Sequence, residues 1–63
     1  MALIKLRKAN QAGEEAGDTY INTDQIVEIC AGLSATEVQM ADGMTRWVKD
    51  TLDTVVALVK AAG

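Results

Sequence analysis

The sequence predicts an α+β fold, a small antiparallel sheet of four to five strands with one C-terminal helix packed on one face. Three observations predict it. Several short stretches alternate apolar and polar residues with a period of two, the signature of half-buried strands. Asp42-Gly43 joins two such alternations within residues 36–49, a strong local hairpin signal. Leu52, Val55, Val56, Val59 and Ala62 recur at helical spacing and make one apolar stripe about three turns long. At 63 residues the chain reads as a single domain, 1–63.

In the first element, Ala2-Leu-Ile-Lys-Leu-Arg7, Ile4 and Leu6 fall on one side and Lys5 and Arg7 on the other, a half-buried strand. Residues 10–18 have no apolar period, contain two glycines and concentrate acid, so they are expected as a mobile surface loop. Residues 19–22 form a short strand, and Asn22-Thr23-Asp24 supplies side chains that bond nearby amides in a turn. Residues 25–30 follow as a strand rich in β-branched residues. There Val27 and Ile29 are expected on one side and Glu28 and Cys30 on the other. Residues 31–35 make the next turn.

For the hairpin, a two-residue turn with positive φ at both Asp42 and Gly43 pairs Ala41 with Met44, Met40 with Thr45, Gln39 with Arg46 and Val38 with Trp47. One face then carries Val38, Met40, Thr45 and Trp47, with Trp47 under the helix. The opposite face carries Glu37, Gln39, Ala41, Met44, Arg46 and Val48. The helix begins at Asp50 or Thr51, either able to cap it. Asp53 in its first turn and Lys60 near its end complement the helix dipole.

A core this small is marginal and calls for a staple. Cys30 is the only cysteine and histidine is absent, so no internal disulfide and no Cys/His zinc site is available. Oligomerisation remains, with a two-fold dimer as the first choice. The expected contact is the apolar remainder on the side the helix leaves bare: Leu3, Ala41, Met44 and Val48. A lone thiol without a leader or long apolar run fits a cytoplasmic protein with no membrane contact.

No residue is assigned a catalytic, cofactor-binding or metal-binding role. General acid-base work at neutral pH would rest on carboxylates alone, with Glu28 and Glu37 the only ones on expected strands, so the chain does not read as an enzyme. Glu14, Glu15 and Asp18 match no calcium loop. Cys30 has no histidine to act as its base and reads as a small filler. A net charge of −3 argues against a dedicated nucleic-acid binder. The alternative, a small nucleic-acid-binding regulatory module, would use Lys5, Arg7, Lys8 and Arg46, with no exposed aromatic expected beside them. A further alternative is an uncharacterised protein of a phage or mobile element.

Ile4-Lys-Leu6, Tyr20-Ile-Asn22, Ile26-Val-Glu-Ile29, the run from Thr36 to Gly43 and above all Val48-Lys-Asp-Thr-Leu-Asp-Thr-Val55 fall in an order that resembles the FlbD-like small flagellar and swarming-motility proteins. The resemblance implies a non-enzymatic, cytoplasmic accessory role in motility.

Overall fold

The computed structural model describes residues 2–62. In chain order these form β1 (Leu3–Ala9), β2 (Glu15–Asn22), a 3-10 turn (Thr23–Gln25), β3 (Ile26–Ala31), β4 (Thr36–Met40), β5 (Thr45–Val48) and α1 (Leu52–Ala62). The strands make one antiparallel sheet in the order β2-β1-β5-β4-β3, with the helix packed on it.

The two edge strands, β2 and β3, are consecutive in the chain and joined only by Thr23–Gln25. Four Cα steps from Asn22 to Ile26 span at most about 14 Å, whereas five flat strands would hold their edges about 19 Å apart. The sheet must therefore curl. Hydrogen bonds on either side of the turn fasten the curl: Thr23 N–H donates to Ala2 O at 2.9 Å, and Ala41 N–H donates to Gln25 O at 2.7 Å. Within three residues the chain leaves β1 as its neighbour and takes up β4.

The concave face holds the core. Ile4 and Leu6 of β1, Ile21 of β2, Val38 of β4, Val48 of β5 and Val55 of α1 are buried together, with Ile26, Ile29, Met40, Leu58 and Val59 packed around them. Thr51 caps the helix, its Oγ1 accepting from Thr54 N–H at 3.2 Å. The stripe that meets the sheet is Val55, Leu58 and Val59. Ala62, expected in that stripe, is exposed.

Three expectations require correction. In the β4–β5 hairpin the pairs are Thr36 with Val48, Glu37 with Trp47, Val38 with Arg46 and Gln39 with Thr45, one residue away from the expected register. The loop is three residues, Ala41-Asp42-Gly43. Gly43 N–H donates to Met40 O at 3.0 Å, Met40 N–H donates to Met44 O at 2.9 Å, and only Gly43 has positive φ, +87°. This is a turn closed by a glycine bulge, which spares Asp42 a left-handed backbone. Asp42 Oδ1 instead accepts Met44 N–H at 2.8 Å. Because side chains alternate faces along a strand, a slip of one residue exchanges the faces of β5. Val48 is fully buried in the core, so it cannot belong to an exposed contact, and Trp47 shares the opposite face with Glu37 rather than lying under the helix.

The second correction concerns residues 10–18. β2 begins at Glu15, and the loop is only 10–14, closed by Gly13 N–H to Asn10 O at 2.9 Å and Asn10 N–H to Glu14 O at 3.0 Å. Ala9 pairs with Glu15 and Arg7 with Asp18, so Ala16 and Gly17 together oppose Lys8. That bulge uses Gly17 at φ +94°. The third lies in β3, where Ile26 pairs with Met40 and Glu28 with Gln39. Val27 is an extra, outward residue 71% exposed, and Ile26 joins Ile29 on the core side.

Candidate functional site

The β1–β2 hairpin and the β3–β4–β5 meander meet at a narrow seam. β1 pairs with β5 only through Lys8 with Val48 and Ala9 with Trp47. Next to it, Lys49 N–H donates to Arg7 O at 2.8 Å, and Asp50 Oδ1 accepts Arg7 N–H at 2.7 Å. Asp50 O also accepts the Thr36 hydroxyl at 2.6 Å, so this residue ties β1 and β4 to the start of the helix. On the other side of the two paired positions β5 continues back to Thr45 while β1 gives way to its loop. A cleft of about 400 Å³ opens there, lined by Lys8, Thr19, Met44, Thr45, Arg46 and Trp47, with Ala9. A smaller cavity of about 190 Å³ holds Trp47 with Gln11, Leu33, Ser34 and Glu37. Trp47, half-buried, therefore lines both hollows.

Of the four expected contact residues, Leu3 and Met44 are 57% and 56% exposed and Ala41 is exposed, whereas Val48 is core. The three exposed ones do not form one patch. Met44 lines the cleft, while Leu3 points away from the core beside Tyr20, which stands opposite Lys5 and is 64% exposed. Leu3 and Tyr20 are diagonal neighbours on one face of the β1–β2 ladder, within reach of each other. Tyr20 was readable from the alternation Thr19-Tyr20-Ile21: once Ile21 faces the core, Tyr20 must face out.

The four cations are likewise divided. Lys5 and Arg7 lie on the outer face, Lys5 paired with Asp18 at 3.6 Å and Arg7 with Asp50 at 3.8 Å. Lys8 and Arg46 line the cleft. Arg46 is 3.8 Å from Asp42, and Lys8 makes no ion pair among the described residues. Trp47 also lines that cleft, but it pairs with Glu37 and Ala9, whereas Arg46 pairs with Val38 and Lys8 with Val48, so its indole faces the other side of the sheet from both cations.

Cys30 lies on the outer side of β3, opposite Glu37, and its thiol donates to Glu28 at 3.3 Å. The Glu28 carboxylate, as acceptor of that bond, together with burial and the charges of Glu28 and Glu37, holds the thiol above its ordinary value. It stays protonated at neutral pH and is a poor nucleophile. Among the described residues no group of three His, Cys, Asp or Glu side chains is placed to hold a metal ion. No helix among them is long and apolar enough to cross a membrane. No protein-family model matches the chain, and no curated protein or solved structure matches it.

Proposed function

We propose that this protein is a small, non-enzymatic interaction protein that works as a homo-oligomer, most simply a two-fold dimer. Its setting is the cytoplasm, and its role is the accessory one that the resemblance to small motility proteins implies. The observation that carries the reading is the Leu3–Tyr20 pair: two large apolar side chains, more than half exposed, side by side on the face without a helix and next to the open β2 edge. A two-fold axis near that pair would bury it against its own copy and close the contact without a filament. The small core supports the same reading, because burial of this patch adds apolar area that one chain of this length does not provide.

Light scattering at micromolar concentration tests it. The expected mass is twice 6.7 kDa. Tyr20→Glu places a carboxylate opposite Lys5, where the monomer tolerates it, but puts a charge into a desolvated contact, so the dimer should dissociate with the strands intact. A wild-type mass of one chain with a cooperative thermal transition would overturn the proposal.

A further inference from the structure

We propose that two copies of the chain join edge to edge, β2 pairing antiparallel with the β2 of its partner about a two-fold axis at Tyr20. This pairing rests on the dimer proposed above and gives it a surface and a register. Thr23 N–H donates to Ala2 O at 2.9 Å, and Lys49 N–H donates to Arg7 O at 2.8 Å. Bonded and non-bonded pairs alternate along an antiparallel ladder, so Ile4 and Leu6 bond to β2 while Leu3, Lys5 and Arg7 turn the other way. Those three stand opposite Asn22, Tyr20 and Asp18. The peptide groups of Asp18, Tyr20 and Asn22 therefore point away from β1, out of the open edge, and their side chains share the outer face with Leu3.

Only an axis at Tyr20 sets all three residues opposite one another: Tyr20 meets its own copy, and Asp18 meets Asn22 of the partner subunit on either side. Moving the axis one residue either way leaves Asn22 or Asp18 unmatched, and an axis at Asp18 opposes two carboxylates. The edge thus complements itself in charge. Asn22 Oδ1 accepts Asp24 N–H at 3.0 Å, which leaves the amide nitrogen to donate to the facing carboxylate. The Gly17 bulge bounds the pairing at one end and the 3-10 turn at the other.

Light scattering together with amide exchange on ¹⁵N-labelled protein tests it. At millimolar concentration the Asp18 and Asn22 amides should exchange about tenfold more slowly in the wild type than in Tyr20→Glu, whose monomer leaves them in water. The Thr19 and Ile21 amides, which bond to β1, should stay protected in both and so report that the variant is folded. Charge tests the register. Asn22→Asp keeps an oxygen for Asp24 N–H but opposes two carboxylates at each of the symmetric contacts, and should raise the dimer dissociation constant about tenfold. Adding Asp18→Asn exchanges the two side chains and should restore the dimer. A dimer whose Asp18 and Asn22 amides exchange as fast as in Tyr20→Glu uses another surface, which overturns the edge pairing and leaves the dimer standing. A dimer indifferent to Asn22→Asp, or not restored by the exchange, overturns the axis at Tyr20. Masses growing beyond two chains, as a β2 edge meeting a β3 edge would give, overturn the closed pair. A monomeric wild type overturns the pairing and the proposed function together.

Discussion

In the β1–β2 and β4–β5 hairpins a three-residue loop closes the ladder in the same way. Gly13 N–H bonds Asn10 O while Asn10 N–H bonds Glu14 O; Gly43 N–H bonds Met40 O while Met40 N–H bonds Met44 O. Each glycine has φ +87°. The surroundings differ. Around Gly43 nothing lies within 4 Å of where a Cβ would stand, whereas a Cβ on Gly13 would fall 2.5 Å from the Ser34 carbonyl oxygen. The glycine of the first loop is packed against the β3–β4 turn, whereas that of the second stands open and its loop is tied elsewhere, through Ala41 N–H to Gln25 O at 2.7 Å. One backbone solution thus seats its glycine in a tertiary contact in one place and leaves it in open space in the other.

The sharpest way to break this comparison is to give both glycines the same side chain. Gly43→Ala incurs only the left-handed backbone cost of about 1 kcal/mol. Gly13→Ala adds the displacement of the Ser34 backbone, an overpacking cost of about 1–3 kcal/mol, for a total near 3 kcal/mol. Urea denaturation of the two variants measures both. Equal losses would mean that the 10–14 loop does not rest on Ser34.

A smaller effect is expected at the seam that joins the hairpins. Asp50, with its side chain only 15% exposed, holds the Arg7 amide. Asp50→Ala leaves that amide without its charged acceptor and should cost about 2 kcal/mol. Amide exchange locates the loss: the Arg7 and Lys49 amides should exchange faster, while those between β3 and β4 keep their protection. Uniform acceleration across the sheet would show that the hairpins open together rather than at the seam.

The same contrast explains what could be read in advance. The helix, β1 and β4 each bury one face and so carry a period; Ile4, Leu6, Val38 and Val55 stand where the alternation put them. β2 has no such signal in its first half, because 15–18 are all exposed, and a strand with two wet faces resembles a loop. The register of β5 was hidden for another reason. Asp42-Gly43 suits both a two-residue turn and a three-residue loop, and the choice rests on a carboxylate accepting Met44 N–H, which composition does not reveal. That single step decided the candidate site, removing Val48 from the surface and turning Trp47 away from the helix onto the face of Glu37. Lys8 was named as a cation, but its cleft follows from a seam of two paired positions, a property of topology.

The finest test concerns the side chains that staple the two loops. Asn10 uses both ends of its amide, Oδ1 accepting Glu14 N–H at 2.9 Å and Nδ2 donating to Glu14 Oε1 at 2.8 Å. Asp42 makes one backbone bond, at 2.8 Å, and the loose contact with Arg46. All of these groups are exposed, so water replaces much of what a truncation removes, and an ion pair of that kind contributes little. Asn10→Ala should therefore cost about 1 kcal/mol and Asp42→Ala about half as much. The ranking also follows from position, since Asn10 holds the loop that Gly13 must present to Ser34, while Asp42 shapes a loop whose glycine meets nothing. Combining each with its glycine variant separates the two accounts. Asn10→Ala should be non-additive with Gly13→Ala, because both loosen the same contact, whereas Asp42→Ala and Gly43→Ala should add more closely. Additivity in the first pair would mean that the Asn10 amide stabilises its own turn and does not help to seat Gly13 on Ser34.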